Sequence, residues 1–239
     1  MNISIVFPSY NEEKAIKASI PVVRELLSTI PEHNFTLIIA NDGSVDNTEE
    51  VVKGMDGVEL VSYTPNHGKG YAVRQGIARA LELGADYIFF MDIDLSTDLA
   101  IMPEFIKALE DNDIVIGSRH DKKSNVVVKQ PFKRRFVSFC SRLIIKMMFH
   151  FKKEVNDTQC GFKALSRRLA ELVVERTIID GFALDVEYLY IAKLHQMPYK
   201  SIPVTWRDDC DSRVKVFKSS VRFFKDLFKI KRNKKNYVK

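Results

Sequence analysis

Short apolar runs alternate with stretches of helical periodicity through much of the chain, and this alternation narrows the fold more than any other feature. Runs at Ile3–Pro8, Thr36–Asn41, Glu59–Tyr63, Asp86–Met91 and Ile114–Gly117 predict strands, with a later one at Lys200–Trp206. Helical patterns fall at Glu12–Ser28, Asp46–Lys53, Gly70–Leu83, Ala100–Asp111, Phe132–Phe151, Arg167–Glu175 and Asp185–Gln196. A strand that is apolar on both faces must be covered on both faces. Intervening helices supply that cover, so an α/β fold with a mostly parallel central sheet flanked by helices is expected. After about Asn125 the pattern changes to long amphipathic helices, an elaboration of the same domain.

In open sheets of this kind, ligands sit at the carboxyl ends of the strands. Polar clusters follow the first five runs: "PSYNEE" (Pro8–Glu13), "NDGSVDNT" (Asn41–Thr48), "NHGKG" (Asn66–Gly70), "DIDLSTD" (Asp92–Asp98) and "GSR" (Gly117–Arg119). So many polar loops on one rim exceed what turn chemistry requires and describe a site. The fourth drives a greasy strand into Asp92 and Asp94. Residues i and i+2 of a strand share a side, so the two carboxylates converge if the strand persists. Such a pair can hold a hard divalent cation together with a substrate's phosphates; the plainer reading is acids solvating a strand end.

The glycines of "NHGKGYAVRQG" match neither GxGxxG nor GxxxxGK[ST]. A loop leading into a helix can still offer backbone N–H groups to phosphates, with Lys69 and Arg74 adding charge. Equally, it can use glycine for a sharp turn. Asp42 is open to the same two readings, as turn residue or as acceptor for a base or ribose.

Composition closes off several classes. At 239 residues, 46% hydrophobic and 28% charged, the chain can build a sizeable core. No apolar run is long enough for a membrane span, and the N-terminus lacks a signal-peptide pattern. Cys140, Cys160 and Cys210 have neither zinc spacing nor an even disulfide framework, which fits a reducing, cytoplasmic setting. The net charge of +6 is concentrated toward Lys215–Lys239, where Asp226 is the only acid. Such a block suits nucleic acid, an anionic membrane or plain solvation. Its aromatics follow helical spacing and no RNA-binding signature accompanies them, so nucleic acid is not expected as a partner.

The ordered set "PSYNEE", "NDGS", "NHGKG" and "DID" resembles the donor half of the family 2 glycosyltransferases, inverting enzymes of the GT-A fold that use nucleotide-diphosphate sugars. Downstream, "DTQCGFKALSR" (Asp157–Arg167), "DVE" (Asp185–Glu187) and "VTW…DSRVK" resemble the dolichyl- or polyprenyl-phosphate glycosyltransferases, the glucosyl type above all. The resemblance spans about residues 1–220. It implies one GT-A domain over 1–239: a nucleotide-sugar-binding half (1–124), an acceptor-side half (125–214) and a basic amphipathic C-terminal helix and tail (215–239).

By the same resemblance, Pro8, Tyr10 and Glu12 line the nucleoside pocket and Asp42 holds the base. Lys69, Gly70 and Arg74 belong to the donor loop. Asp92 and Asp94 form the DxD that binds Mg²⁺ or Mn²⁺, with Asp94 the more direct ligand, and Ser96 stands near the metal. Arg119 and Arg134 receive the acceptor phosphate. Gln159 and Gly161 lie near the sugar, and Arg213 closes over the diphosphate. The chain departs from the pattern at Asn41, where the first Asp of "DDGS" is usual, and at "CDSRV" (Cys210–Val214), where "GSK" is common.

A hydroxyl acceptor would need a carboxylate base, for which Asp185 and Glu187 are candidates; their other reading is an exposed or capping helix start. A phosphate acceptor is already anionic and needs arginines instead. The stripe Phe132, Phe136, Phe139, Leu143, Met147 and Phe151, like Phe217, Val221, Phe224 and Phe228, fits a helix packed on its core or one lying in an anionic bilayer surface. The expected reaction is transfer of a hexose, glucose from UDP-glucose, to a dolichyl or polyprenyl phosphate on the cytosolic face of a membrane. GDP-mannose as donor and a sugar or lipid hydroxyl as acceptor are the alternatives. A membrane-anchored partner protein is a further candidate.

Overall fold

A computed structural model of the protein describes residues 1–128, 132–152, 155–207 and 216–239. The side chains of 132–134, 136 and 216–220 lie outside the described set, as does the whole of Arg213. A seven-stranded sheet runs in the order β3 (Val58–Tyr63), β2 (Asn34–Asp42), β1 (Asn2–Ser9), β4 (Tyr87–Met91), β7 (Phe162–Ser166), β5 (Ile114–Ser118), β8 (Tyr199–Pro203). All neighbours are parallel except β7, which is antiparallel to both β4 and β5.

Two apolar layers sandwich this sheet because its central strands are apolar on both sides. Along β1, Ile3, Ile5 and Phe7 enter the layer beneath α1 (Glu13–Ser28), α2 (Thr48–Lys53) and α4 (Met102–Leu109). Val6 points the other way, toward α3 (Lys69–Glu82), α6 (Arg167–Arg176) and α7 (Leu184–Leu194). That second layer also takes Ile145 and Phe149 of α5 (Phe132–Phe149), Leu227 and Ile230 of α8 (Val216–Arg232), and Tyr237 of α9 (Lys234–Tyr237). In α1 the buried Ile16, Ile20, Val23 and Leu27 repeat at helical spacing and form the inward stripe.

Two strand expectations change. The single strand expected at Lys200–Trp206 divides at Val204. Its first part joins β5, and its second, β9 (Thr205–Arg207), pairs with β6 (Asn125–Val128) in a separate two-stranded sheet. The central β7 was not expected at all, since Lys163 interrupts its apolar run. That lysine is fully buried, with its ammonium above the Phe90 ring.

The chain leaves β1 outward to β2 and β3, then returns to β4 on the other side of β1. This reversal opens a crevice at the carboxyl ends of β1 and β4. "PSYNEE" and "DID" end those two strands.

Candidate active site

The strand does not carry the acids. β4 stops at Met91, and a turn follows in which Leu95, at φ 51°, donates its N–H to the Asp92 carbonyl at 3.3 Å. Ile93 is buried in the layer below, so it anchors the turn. Asp94 accepts from the Ser96 N–H at 2.9 Å. Asp92 forms an ion pair with Lys69 at the start of α3. Gly161 lies against the same carboxylate: a Cβ there would fall 2.1 Å from Asp92 Oδ2. Asp92, Leu95, Ser96, Gly161 and Trp206 line a small cleft. Its outer wall is fastened by Arg207 N–H to the Ser96 carbonyl (2.8 Å) and Asp98 N–H to the Thr205 carbonyl (3.0 Å). Asp98 itself caps a 3₁₀ turn by accepting from Ala100 N–H.

The cleft's electrostatics match a cation and an anion held together. Desolvation by the walls, then the Asp92 charge beside it, raise the Asp94 carboxyl above the ordinary carboxylate range. Burial opposes charge on Lys69, but Asp92, Asp185 and Asp94 outweigh it and keep the ammonium protonated. Two adjacent carboxylates with an unfavourable mutual charge are a donor set that a divalent ion relieves. Among the described residues no cluster of three or more His, Cys, Asp or Glu forms.

The donor rim is tied together by its own loops. Pro8 is half-buried at the end of β1, and Tyr10 is 45% exposed beyond it. The Asn11 N–H donates to Ser44 Oγ (2.9 Å) and its side chain accepts from Val45 N–H (2.8 Å), while the Glu12 N–H donates to Thr48 Oγ1 (2.9 Å). These bonds lock the β1–α1 loop to the β2–α2 loop. Asn41 explains its own departure from the family pattern. Its amide donates to Ser62 Oγ (3.0 Å) and toward Glu49 (3.5 Å), where an aspartate would set two like charges together.

Several residues expected at the site are held by neighbouring segments. Asp42 is buried and accepts from Asn66 Nδ2, His67 N–H and Gly68 N–H, at 2.8–2.9 Å, so its carboxylate shapes the β3–α3 loop. The Gly70 N–H donates to the Asp180 carbonyl (2.8 Å), and a Cβ on Gly70 would fall 2.5 Å from the Ile179 carbonyl oxygen. The helix start therefore faces the 177–181 segment, not open solvent. Arg74 pairs with Asp180 (2.7 Å) and clamps that segment from α3. Of the donor-loop basic residues, Lys69 alone reaches the acids in this structure.

On the acceptor side, Arg119 is turned inward. Its Nε and Nη2 grip Asp157 at 2.7 and 2.9 Å, its N–H donates to the same carboxylate, and its guanidinium stacks 5.2 Å from the Trp206 ring. The Nε/Nη2 edge of the guanidinium is therefore occupied by Asp157. Burial alone would raise the Asp157 carboxyl, but Arg119 overrides it and holds it well below the usual range. Gln159, half-buried, also donates its N–H to Asp157, at 3.2 Å. Arg134 and Arg213 fall outside the described residues and side chains.

The start of α7 is neither exposed nor a cap. Asp185 is buried and pairs with Lys163 at 2.8 Å. Glu187, fully buried, accepts from Ile178 N–H (2.8 Å), Ile179 N–H (3.1 Å) and the Tyr237 hydroxyl. Lys163, Asp157 and Asp180 are the site residues that sequence reasoning missed. For Asp157 and Lys163 the signal was the "DTQCGFK" segment, in which a lysine amid apolar residues implies a buried counter-charge; Asp180 had none.

Fold and cleft together define a GT-A nucleotide-sugar transferase architecture. Glucosyl-3-phosphoglycerate synthase from Mycobacterium tuberculosis superposes with a TM-score of 0.71 at 20% identity, over 96% of this chain and 80% of that one. The same enzyme in complex with Mn²⁺, UDP and phosphoglyceric acid gives 0.70 at 19% identity, over 96% and 78%. Residues 4–173 match the glycosyl transferase family 2 model, and the chain belongs to that family. Among curated relatives, the dolichyl-phosphate beta-glucosyltransferases of Homo sapiens and Mus musculus are 31% and 30% identical, each over 96% of this chain and 74% of theirs. The Saccharomyces cerevisiae enzyme of that name is 26% identical over 94% of this chain and 72% of its own length.

Proposed function

We propose that the protein transfers glucose from UDP-glucose to dolichyl phosphate or a related polyprenyl phosphate, with inversion, at the cytosolic surface of a membrane. The names of its relatives support the sugar and acceptor. The observation that carries the acceptor class is the state of Asp185 and Glu187. Asp185 is neutralised by Lys163, and Glu187 is spent on backbone and Tyr237. Both carboxylates already have partners, and a phosphate acceptor needs no base because it has no proton that must be removed.

Asp92 and Asp94 would hold Mg²⁺ or Mn²⁺, which when bound supplies Lewis-acid stabilisation of the leaving diphosphate. Lys69, charged and beside Asp92, adds a fixed cation where negative charge develops. Gly161 leaves Asp92 its room, and the Arg119–Asp157 pair holds the loop that carries Gly161.

The helices support the membrane. Phe139, Leu143 and Met147 of α5 and Val221 and Phe228 of α8 are exposed; Ile145, Phe149, Phe223 and Leu227 form the inward faces. Exposed Arg135, Lys146, Arg222, Lys225 and Lys229 flank the apolar stripes, the composition of helices lying in an anionic interface. Among the described residues no helix is long and apolar enough to cross a membrane. Cys140 and Cys160 are free thiols, as a reducing compartment allows.

Calorimetric titration with UDP and with GDP, each with Mn²⁺ or Mg²⁺ and again with EDTA, tests the donor. Metal-dependent saturation by UDP is expected. A preference for GDP moves the reading to mannose, and saturation by neither nucleotide overturns it.

A further inference from the structure

The 177–181 segment between α6 and α7 has no regular secondary structure, so its backbone polar groups need partners elsewhere. It finds them on two elements. Glu187, in the first turn of α7, accepts from the Ile178 and Ile179 N–H groups at 2.8 and 3.1 Å. The Tyr237 hydroxyl of α9 donates to the same carboxylate. Glu187 and Tyr237 are both fully buried, and a charge taken out of water is tolerated when its oxygens are hydrogen-bonded in this way. Tyr237 is itself fixed: its ring packs edge-on to Tyr190, and its carbonyl accepts from Arg176 at 3.0 Å.

The segment's carbonyls meet the start of α3. The N-cap of that helix is Gly68, which has no side chain to offer the first free N–H groups. The Asp180 carbonyl takes its place. It accepts from the N–H groups of Gly70 (2.8 Å) and Tyr71 (3.4 Å), the second and third residues of the helix, where a cap side chain ordinarily accepts. The fit is close: a Cβ on Gly68 would fall 2.5 Å from the Asp180 carbonyl oxygen, and one on Gly70 would fall 2.8 Å from that of Gly181. Just upstream, the Asp42 carboxylate holds the N–H groups of His67 and Gly68. Lys69 sits between these two anchors, and its ammonium pairs with Asp92. A lysine is a point charge on a flexible four-carbon stem, so where its charge rests depends on where its backbone is held.

We infer that Glu187 and Tyr237 are positioning residues for the donor site. Neither lines the Asp92 cleft. They act through the 178–180 backbone, which sets the start of α3, and with it Lys69, against Asp92. The inference rests on the roles proposed above for Asp92 and Lys69 in holding the donor.

Two readouts separate this from a role in stability alone. The first uses nucleotide-free protein, well below its melting temperature. Tyr237→Phe should speed amide exchange at Gly70 and Tyr71 as well as at Ile178 and Ile179, and should raise the rate at which an acylating reagent modifies Lys69, each by about threefold. Glu187→Gln should do the same by about tenfold; Tyr237→Phe keeps the carboxylate and tests the linkage should the Gln variant fold poorly. The second readout is calorimetric titration with UDP and Mn²⁺. Tyr237→Phe should weaken affinity about threefold in the wild-type background and leave it unchanged in a Lys69→Met background, the non-additivity of residues that share one chain of contacts. Unchanged Gly70 exchange and Lys69 reactivity in both variants, or equal losses of UDP affinity with and without Lys69, overturns the inference. Wild-type protein that binds no UDP, while Lys69 reactivity still responds to Tyr237→Phe, supports the linkage and overturns the donor reading instead.

Discussion

Gly161→Ala isolates the geometry of the acidic pair from its chemistry. Gly161 lies outside the left-handed region, so alanine meets no left-handed backbone strain there. The new Cβ would lie 2.1 Å from Asp92 Oδ2 and 3.0 Å from its Cγ. Ordinary contact begins near 3.4 Å, so the carboxylate must retreat by about 1.3 Å or the strand end must move. Asp92 has room to swing because its side chain is 41% exposed, and the fold should survive. A misplacement of about 1 Å in a positioned group typically costs about 10²-fold in rate. The expected result is a comparable fall in kcat for lipid-linked glucose formation, a higher Mn²⁺ concentration at half-maximal rate, and a melting temperature close to wild type. A folded Gly161→Ala variant that keeps both rate and metal half-saturation within about threefold would refute the placement of Asp92 as a metal-holding group.

Three further outcomes follow from buried or exposed groups elsewhere. The Asp157 carboxyl is depressed below its usual 3.8, so the stability it contributes is complete above pH 4 or so and is lost as pH falls from 3.8 toward its folded value. Asp157→Asn should flatten that acid limb in urea melts and cost about 3–5 kcal/mol at neutral pH by stranding Arg119. Tyr237→Phe removes one of three donors to the buried Glu187 carboxylate and should cost about 1–3 kcal/mol in the same assay, with loosened amide protection at Ile178 and Ile179. Leu143→Glu and Phe228→Glu, both at exposed positions, should reduce flotation with anionic vesicles and leave UDP binding unchanged. Unaltered flotation in both would remove α5 and α8 from the membrane surface.

The parallel part of the sheet was legible because its strands are short, mostly apolar runs and the first five end in polar loops. β7 was not, because Lys163 breaks its run and only the distant Asp185 explains the charge. The change of sheet at Val204 was invisible for a related reason: one apolar stretch feeds two different partners. Helical periodicity located the α5 stripe but could not orient it. Phe139–Leu143–Met147 and Ile145–Phe149 are both apolar, and contact with the sheet selects the second for burial. Within the site, Lys69 and Gly161 both lie against Asp92, a juxtaposition of three separate motifs. Family order could not reveal that Arg119, Arg74 and Asp42 are engaged by Asp157, Asp180 and the 66–68 loop, since those pairings arise only when distant segments fold together.

Metal-dependent glucosyl transfer to a lipid phosphate at the Asp92–Asp94 pair is the reaction proposed for this chain. Its most direct test is to incubate the purified chain with labelled UDP-glucose, dolichyl phosphate and Mn²⁺ or Mg²⁺, and to count label in the organic phase. EDTA and Asp94→Asn serve as controls. Label that enters the lipid with wild-type protein and vanishes in both controls is the predicted result. Lipid label that persists in Asp94→Asn, or none from wild type that binds UDP normally, would contradict it.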